Sequence, residues 1–259
     1  MGILNVTPDS FADGGSHLDP GAAEAAALEM EGLGADLIDV GGESTRPGAD
    51  RVTLQEEIAR IRPVLQRLRS TIHVPISVDT MKPGVAEMAI GEGASIVNDV
   101  SGLRYDAALA EVVARYGAGL VLMHNRGDSR EMYREARYES VAREVINELG
   151  MSIERALEAG VPRESIIIDP GLGFAKRAEH SFAAMAALPE FAALSYPLLV
   201  GPSRKSFLTA AIGDKPAVQR DYATAAAVAA AVLFGAHIVR VHAVGEMVDV
   251  VRVADRLRC

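Results

Sequence analysis

The chain is nearly devoid of cysteine and has no tryptophan. Its one cysteine, Cys259, is the last of 259 residues, so no internal disulfide can form. That suits a reducing compartment. No run approaches the roughly 18 uninterrupted apolar residues of a membrane span. No basic stretch followed by an apolar one marks a secretory leader. A basic surplus is missing too: 26 Lys and Arg face 35 Asp and Glu, a net charge of −9, which argues against a nucleic-acid binder. The expectation is a cytoplasmic protein with a small-molecule substrate, no membrane contact and no nucleic-acid partner. Zinc-type His/Cys spacing is absent, as are linkers and low-complexity tracts.

Apolar residues make up 49% of the chain, enough for a large core. Strand-like runs are Gly2–Val6, Asp36–Val40, Val74–Val78, Ser95–Asn98, Leu120–Met123, Ile166–Ile168, Pro197–Val200 and Ile238–Val241. Several are continuously apolar, as parallel strands covered on both faces are. Helical patterns fill the gaps. Asp19-Pro20 has the form of an N-cap followed by proline at N1. Leu54, Ile58, Ile61, Leu65 and Leu68 form one apolar stripe, and Val141, Val145, Leu149, Ile153 and Leu157 another. Ala217–Phe234 reads as an Ala-rich helix, and Val248, Val251 and Ala254 mark a last one. Alternating strands and helices over this length predict a single α/β domain spanning 1–259, a (β/α)8 TIM barrel.

Each strand-like run ends in a polar cluster, where such barrels gather their active-site side chains. Asp79 follows Ile76-Ser77-Val78, and Asp169 follows Ile166-Ile167-Ile168. A carboxylate at the end of an apolar strand needs a partner. One reading is a loop-capping acid; the other is an acceptor for an N–H-rich heterocycle. Asn98 adds an amide that both donates and accepts. Two Asp and one Asn at one mouth could read the edge of a guanine-like or pterin-like ring. The segment Gly201–Ser206 lacks the second glycine of a nucleotide P-loop. It could instead hold an anion at Ser206, with Lys205 reaching a ring carbonyl or nitrogen, or Lys205 could be a solvated helix-start lysine. Arg240 and His242 stand at i and i+2, one face of a strand. They suit a phosphate or pyrophosphate, or a structural ion pair. Arg46, Lys176 and Arg204 add further positive charge to a site on an acidic protein. His73 and His237 read as structural.

In order along the chain, the segments MGILNVTPDSFADGG (1–15), DVGGESTRPG (39–48), SVDT (77–80), NDVSG (98–102), LMHNR (122–126), DPGLGF (169–174) with Lys176, GPSRKSF (201–207) and RVH (240–242) resemble the dihydropteroate synthases. That family joins p-aminobenzoate to 6-hydroxymethyl-7,8-dihydropterin pyrophosphate in folate biosynthesis. The resemblance implies that Asp79, Asn98, Asp169 and Lys205 hold the pterin, with Met123 and Phe174 near the ring. It implies Asn5 as a ligand to Mg²⁺ at the pyrophosphate, and Arg46, Arg240 and His242 as contacts to that leaving group. Thr45, Arg46 and Pro47 would lie in one mobile loop, Phe11 and Asp13 in another. Asp13 would stabilise a pterin cation formed as the C–O bond breaks. Ser206, Pro47, Phe174 and Lys205 would border the aminobenzoate pocket. A homodimer and sensitivity to sulfonamides are further implications. Ala243 stands where the family often has Asp, and Ala12 where Ser is common. The start is also shorter than in many relatives, with an expected cost in stability. Three alternatives remain at this point: a pterin-binding methyltransferase domain, a non-catalytic pterin binder, and an unrelated barrel aldolase or isomerase.

Overall fold

The computed structural model describes residues 1–7, 19–44, 49–127, 134 and 136–258. Eight parallel strands are present: β1 Gly2–Asn5, β2 Ile38–Gly41, β3 Ile76–Asp79, β4 Ile96–Asp99, β5 Gly119–Met123, β6 Ile166–Asp169, β7 Leu199–Val200 and β8 Ile238–Val239. The first six pair in sequence order, and β7 pairs with β8. Two single bridges join the pieces: Ile168 with Leu198, and Gly2 with Val241. Across the second seam, Ile3 N–H donates to Val241 O and Val241 N–H to Met1 O, each at 3.0 Å. The ring therefore closes, and the fold is the TIM barrel expected from the alternation.

The helices are α1 Pro20–Gly32, α2 Leu54–Thr71, α3 Pro83–Gly91, α4 Ala108–Tyr116, α5 Val141–Glu158, α6 Ala178–Ala186, α7 Leu188–Ala192, α8 Thr209–Ile212, α9 Asp221–Leu233 and α10 Val244–Leu257. Asp19 caps α1 by accepting from Gly21 N–H at 2.8 Å. Along α2, Ile61, Leu65 and Leu68 are fully buried, with Leu54 and Ile58 packed against them. No helix among the described residues is long and apolar enough to cross a membrane.

Three expectations shift. The α5 stripe ends a turn early: Leu157 is exposed, while Ala156 is buried. A repeat of four residues advances about 40° around a helix at each step, so it drifts off the core face. The Ala-rich stretch is broken: 217–219 is a 3-10 turn, and α9 begins at Asp221. The Arg220 guanidinium closes that break on the Lys215 and Arg204 carbonyls. Strands β7 and β8 are two residues each; β7 starts late because Pro197 has no N–H to donate and the Leu198 N–H goes to the His237 ring. His237 is thus structural.

Candidate active site

The strand register assembles the rim. Asn5 stands opposite Gly41, Gly41 opposite Asp79, and Asp79 opposite Asn98, so four strands contribute to one row. On the far side, Met123 stands opposite Asp169. At Gly41 an added Cβ would lie 3.4 Å from the Asp79 Cβ, so glycine leaves that acid its space.

Asp79, Asn98 and Asp169 are buried, as strand-end positions require. The Arg240 guanidinium lies between two acids: Nε donates to Asp39 Oδ2 at 2.6 Å and Nη2 to Asp79 Oδ2 at 2.9 Å. The Asn98 amide donates to the same Asp39 oxygen at 3.0 Å. Burial pushes the Asp79 carboxyl up to about 7, against the pull of Arg240 and with the push of Asp39. Burial also raises Asp169, opposed by Lys205. Asp169 Oδ1 accepts from Gly171 N–H at 2.7 Å.

Lys205 enters from the turn after β7. Its Nζ donates to Leu172 O at 2.5 Å and lies 4.7 Å from the centre of the Phe174 ring, a cation–π contact. Burial lowers its ammonium to about 8, against the pull of Asp169. The turn that aims it is strained and clamped. Arg204 has φ +57°. Its N–H donates to Thr224 Oγ1, and its guanidinium makes a two-pronged contact with Asp221. The positive charge of Arg204 therefore belongs to the start of α9. Ser206 is exposed and opens a three-residue 3-10 turn before the four-residue α8. The anion site expected at a helix start there has only this short stretch behind it.

His242 lies past the end of β8, beyond the bridged Val241. Its N–H donates to Ser203 Oγ at 3.1 Å, and that hydroxyl lies 2.9 Å from the ring Nδ1. The Ser203 hydroxyl thus holds both the backbone and the ring of His242. Beneath the Phe174 turn, Lys176 is fully enclosed. Its Nζ is 2.7 Å from His124 Nδ1 and donates to Phe174 O at 3.1 Å. Burial holds its ammonium well below the ordinary value and lowers His124 to about 4. His124 also meets Glu148 at 3.2 Å.

Asn5 is half-buried at the end of β1. Among the described residues no three His, Cys, Asp or Glu side chains gather as a metal cage. A single amide oxygen fits Mg²⁺ that keeps most of its waters and takes other ligands from substrate phosphates. Phe11, Asp13, Thr45, Arg46 and Pro47 lie outside the described residues. Of the other expected site residues, Asp79, Asp169, Lys205 and Arg240 are joined by direct bonds or by mutual electrostatic influence, and Asn98 joins them through Asp39. Met123 and Phe174 lie beside Asp169 and Lys205. Sequence reasoning left Asp39, Ser203 and Asp221 without roles. Asp39 could have been found, since an acid between Ile38 and Val40 in a buried strand raises the same question as Asp79.

A sequence profile described as "Pterin binding enzyme" matches residues 1–242. The dihydropteroate synthase of Mycobacterium leprae is 46% identical over 259 aligned residues, covering 98% of this chain and 91% of that protein. That of Bacillus subtilis is 43% identical, covering 99% and 87%. The solved Xanthomonas albilineans dihydropteroate synthase with 4-aminobenzoic acid superposes at a TM-score of 0.93, with 40% identity, over 100% of this chain and 92% of that one. A Yersinia pestis dihydropteroate synthase with a sulfonamide drug gives 0.93 at 38% identity, over 99% and 93%. The chain belongs to the pterin-binding enzymes and, among them, to the dihydropteroate synthases.

Proposed function

We propose that the residues of this rim divide one transfer reaction between them. The reaction is the family's: 6-hydroxymethyl-7,8-dihydropterin pyrophosphate and p-aminobenzoate give 7,8-dihydropteroate and pyrophosphate. The C–O bond to pyrophosphate breaks, with its electron pair leaving on the phosphate oxygen. The amine nitrogen lone pair forms the new C–N bond, and one amine proton is released. The observation that carries the assignment is the convergence of Asp79, Asn98, Asp169, Lys205 and Arg240, from five strand ends, on one rim.

In this reading Asp79, Asn98 and Asp169 accept from the ring's N–H groups, and Lys205 donates to its carbonyl or ring nitrogen. Met123 and Phe174 flank it. Arg240 Nη1 makes no hydrogen bond among the described residues, so it is left for the pyrophosphate together with His242. Charge on the leaving group grows as the bond breaks, so these donors act most strongly in the transition state. Asn5 would hold Mg²⁺, which when bound neutralises pyrophosphate charge. Thr45, Arg46, Pro47, Phe11 and Asp13 complete the site from the two loops, and Ser206 borders the aminobenzoate pocket. An arylamine is already neutral at pH 7, so no general base is required. The whole span 1–259 acts as one pterin-binding domain, in the cytoplasm. A homodimer is part of the proposal, supported by exposed Leu233, Phe234, Val253 and Leu257 on the last two helices; sedimentation analysis checks it.

The test is pyrophosphate release from the pterin substrate. Release that depends on both p-aminobenzoate and Mg²⁺ is expected. Pterin binding without release would favour the non-catalytic alternative. Methyl transfer in place of release would favour the methyltransferase one.

A further inference from the structure

We propose that Asp39 sets the hydrogen-bond polarity of the rim, turning the Asn98 amide so that its oxygen is the atom offered to the ring. The inference rests on the pterin reading above and deepens it. Asp39 acts through other side chains, which makes it a positioning residue.

Asp39 lies in β2, two residues below Gly41 and in the next layer down. Its register partners are Ile3 and Ser77, and Ser77 in turn stands opposite Ile96. Isoleucine fills that layer on two of the four strands, so packing alone does not call for an acid. Asp39 is fully buried. Its Oδ1 and the neighbouring Ser77 Oγ have no hydrogen-bond partner among the described residues. A buried carboxylate with an orphan oxygen costs stability, so packing does not account for it.

Its Oδ2 meets two donors, Arg240 Nε at 2.6 Å and Asn98 Nδ2 at 3.0 Å. A carboxylate facing a guanidinium accepts only. Asn98 can satisfy it with the NH2 alone, since the flipped amide would set two acceptor oxygens against each other. The Asn98 side chain makes no other hydrogen bond among the described residues. Its Oδ1 and one Nδ2 hydrogen remain, and with the nitrogen fixed toward Asp39 the oxygen is the acceptor offered to an N–H of the ring edge above it. The same carboxylate fixes the plane of Arg240, whose other end is held by Asp79. One buried acid thus orients one ring-reading group and one leaving-group donor.

The test is a double-mutant cycle read by calorimetric binding of 6-hydroxymethyl-7,8-dihydropterin. Asp39→Asn keeps the shape but can donate to Asn98 Oδ1, which permits the flip. Asn98→Ala removes the amide. Each single change is expected to weaken binding about tenfold, and the double variant to be no weaker than the weaker single within about twofold, because a misturned amide contributes nothing. Losses that multiply to about a hundredfold would mark Asp39 as merely structural and overturn the inference. So would wild-type affinity in Asp39→Asn. A wild-type protein that fails to bind the ring at all would bring down the pterin reading and this inference with it. Should Asp39→Asn fail to fold, neutron diffraction of the wild-type protein decides: amide deuterium on the atom facing Asp39 is expected, and on the pocket side it overturns the idea.

Discussion

Asp79 and Lys205 are displaced toward each other, the acid up to about 7 and the ammonium down to about 8. The acid must be ionised to accept from the ring, and the lysine protonated to donate. Below about 7 the first condition fails, and above about 8 the second. A bell-shaped pH profile of kcat/KM for the pterin substrate is expected, with its maximum between these values. Asp79→Asn should abolish the acid limb; an unchanged limb would assign it elsewhere. The raised carboxyl has a second consequence. The folded, ligand-free protein holds a proton that the unfolded chain gives up near 3.8. This group's contribution to stability therefore falls as pH rises toward about 7. Asp169→Asn would put an amide donor toward ring N–H groups, so pterin affinity should drop by about tenfold or more. Calorimetry with unchanged affinity would remove that contact. Arg240→Ala should slow turnover by about 10²-fold, as the loss of one preorganised donor does. It should also lower Tm, because it leaves Asp39 and Asp79 buried without their partner.

The elements do their positioning through strained or enclosed joints. Gly171, at φ +68°, follows β6, and a Cβ there would lie 1.9 Å from His124 O. Gly171→Ala should cost several kcal/mol, about the upper range for single changes, and fold poorly by thermal melt. Arg204 is held left-handed by α9 through Thr224 and Asp221. That joint aims Lys205 on one side and Ser203 with His242 on the other. Asp221→Asn should reduce kcat more than it reduces Tm, since it loosens a turn at the rim and leaves the barrel intact; a proportionate loss of both would deny the turn a special role. At the base of the loop after β2, Lys82 meets both Glu43 and Glu57, the latter at 2.5 Å. All three are nearly enclosed. Lys82→Met should destabilise by about 3–5 kcal/mol by stranding two acids, read as a lowered denaturation midpoint.

At the scale of the molecule, the barrel closes by single bridges on either side of a two-strand pair, while the other six strands form a continuous sheet. The floor is apolar: Met1, Val121 and Leu199 pack inside it with Leu37, Ile96, Ile167 and Ile238. The charged groups begin with Asp39, level with Ile96 at the top of that floor, and rise to the rim. Polar chemistry is thus confined to one end of a packed core, as the fold dictates.

Much of this was legible in the residues alone. Apolar runs separated by helical stripes are local patterns, and they determined eight strands, their order and the polar cluster at each end. Asp79, Asn98, Asp169, Lys205 and Arg240 could be singled out because a polar group ending an apolar strand needs a reason. Their partners could not. Arg240 and Asp39 are 201 positions apart in the chain, and Arg204 turned out to serve α9 rather than the site. Hydrogen-bond partnership depends on register, on burial and on which way a turn faces. Those are set when the barrel closes, so only the tertiary structure decided who holds whom.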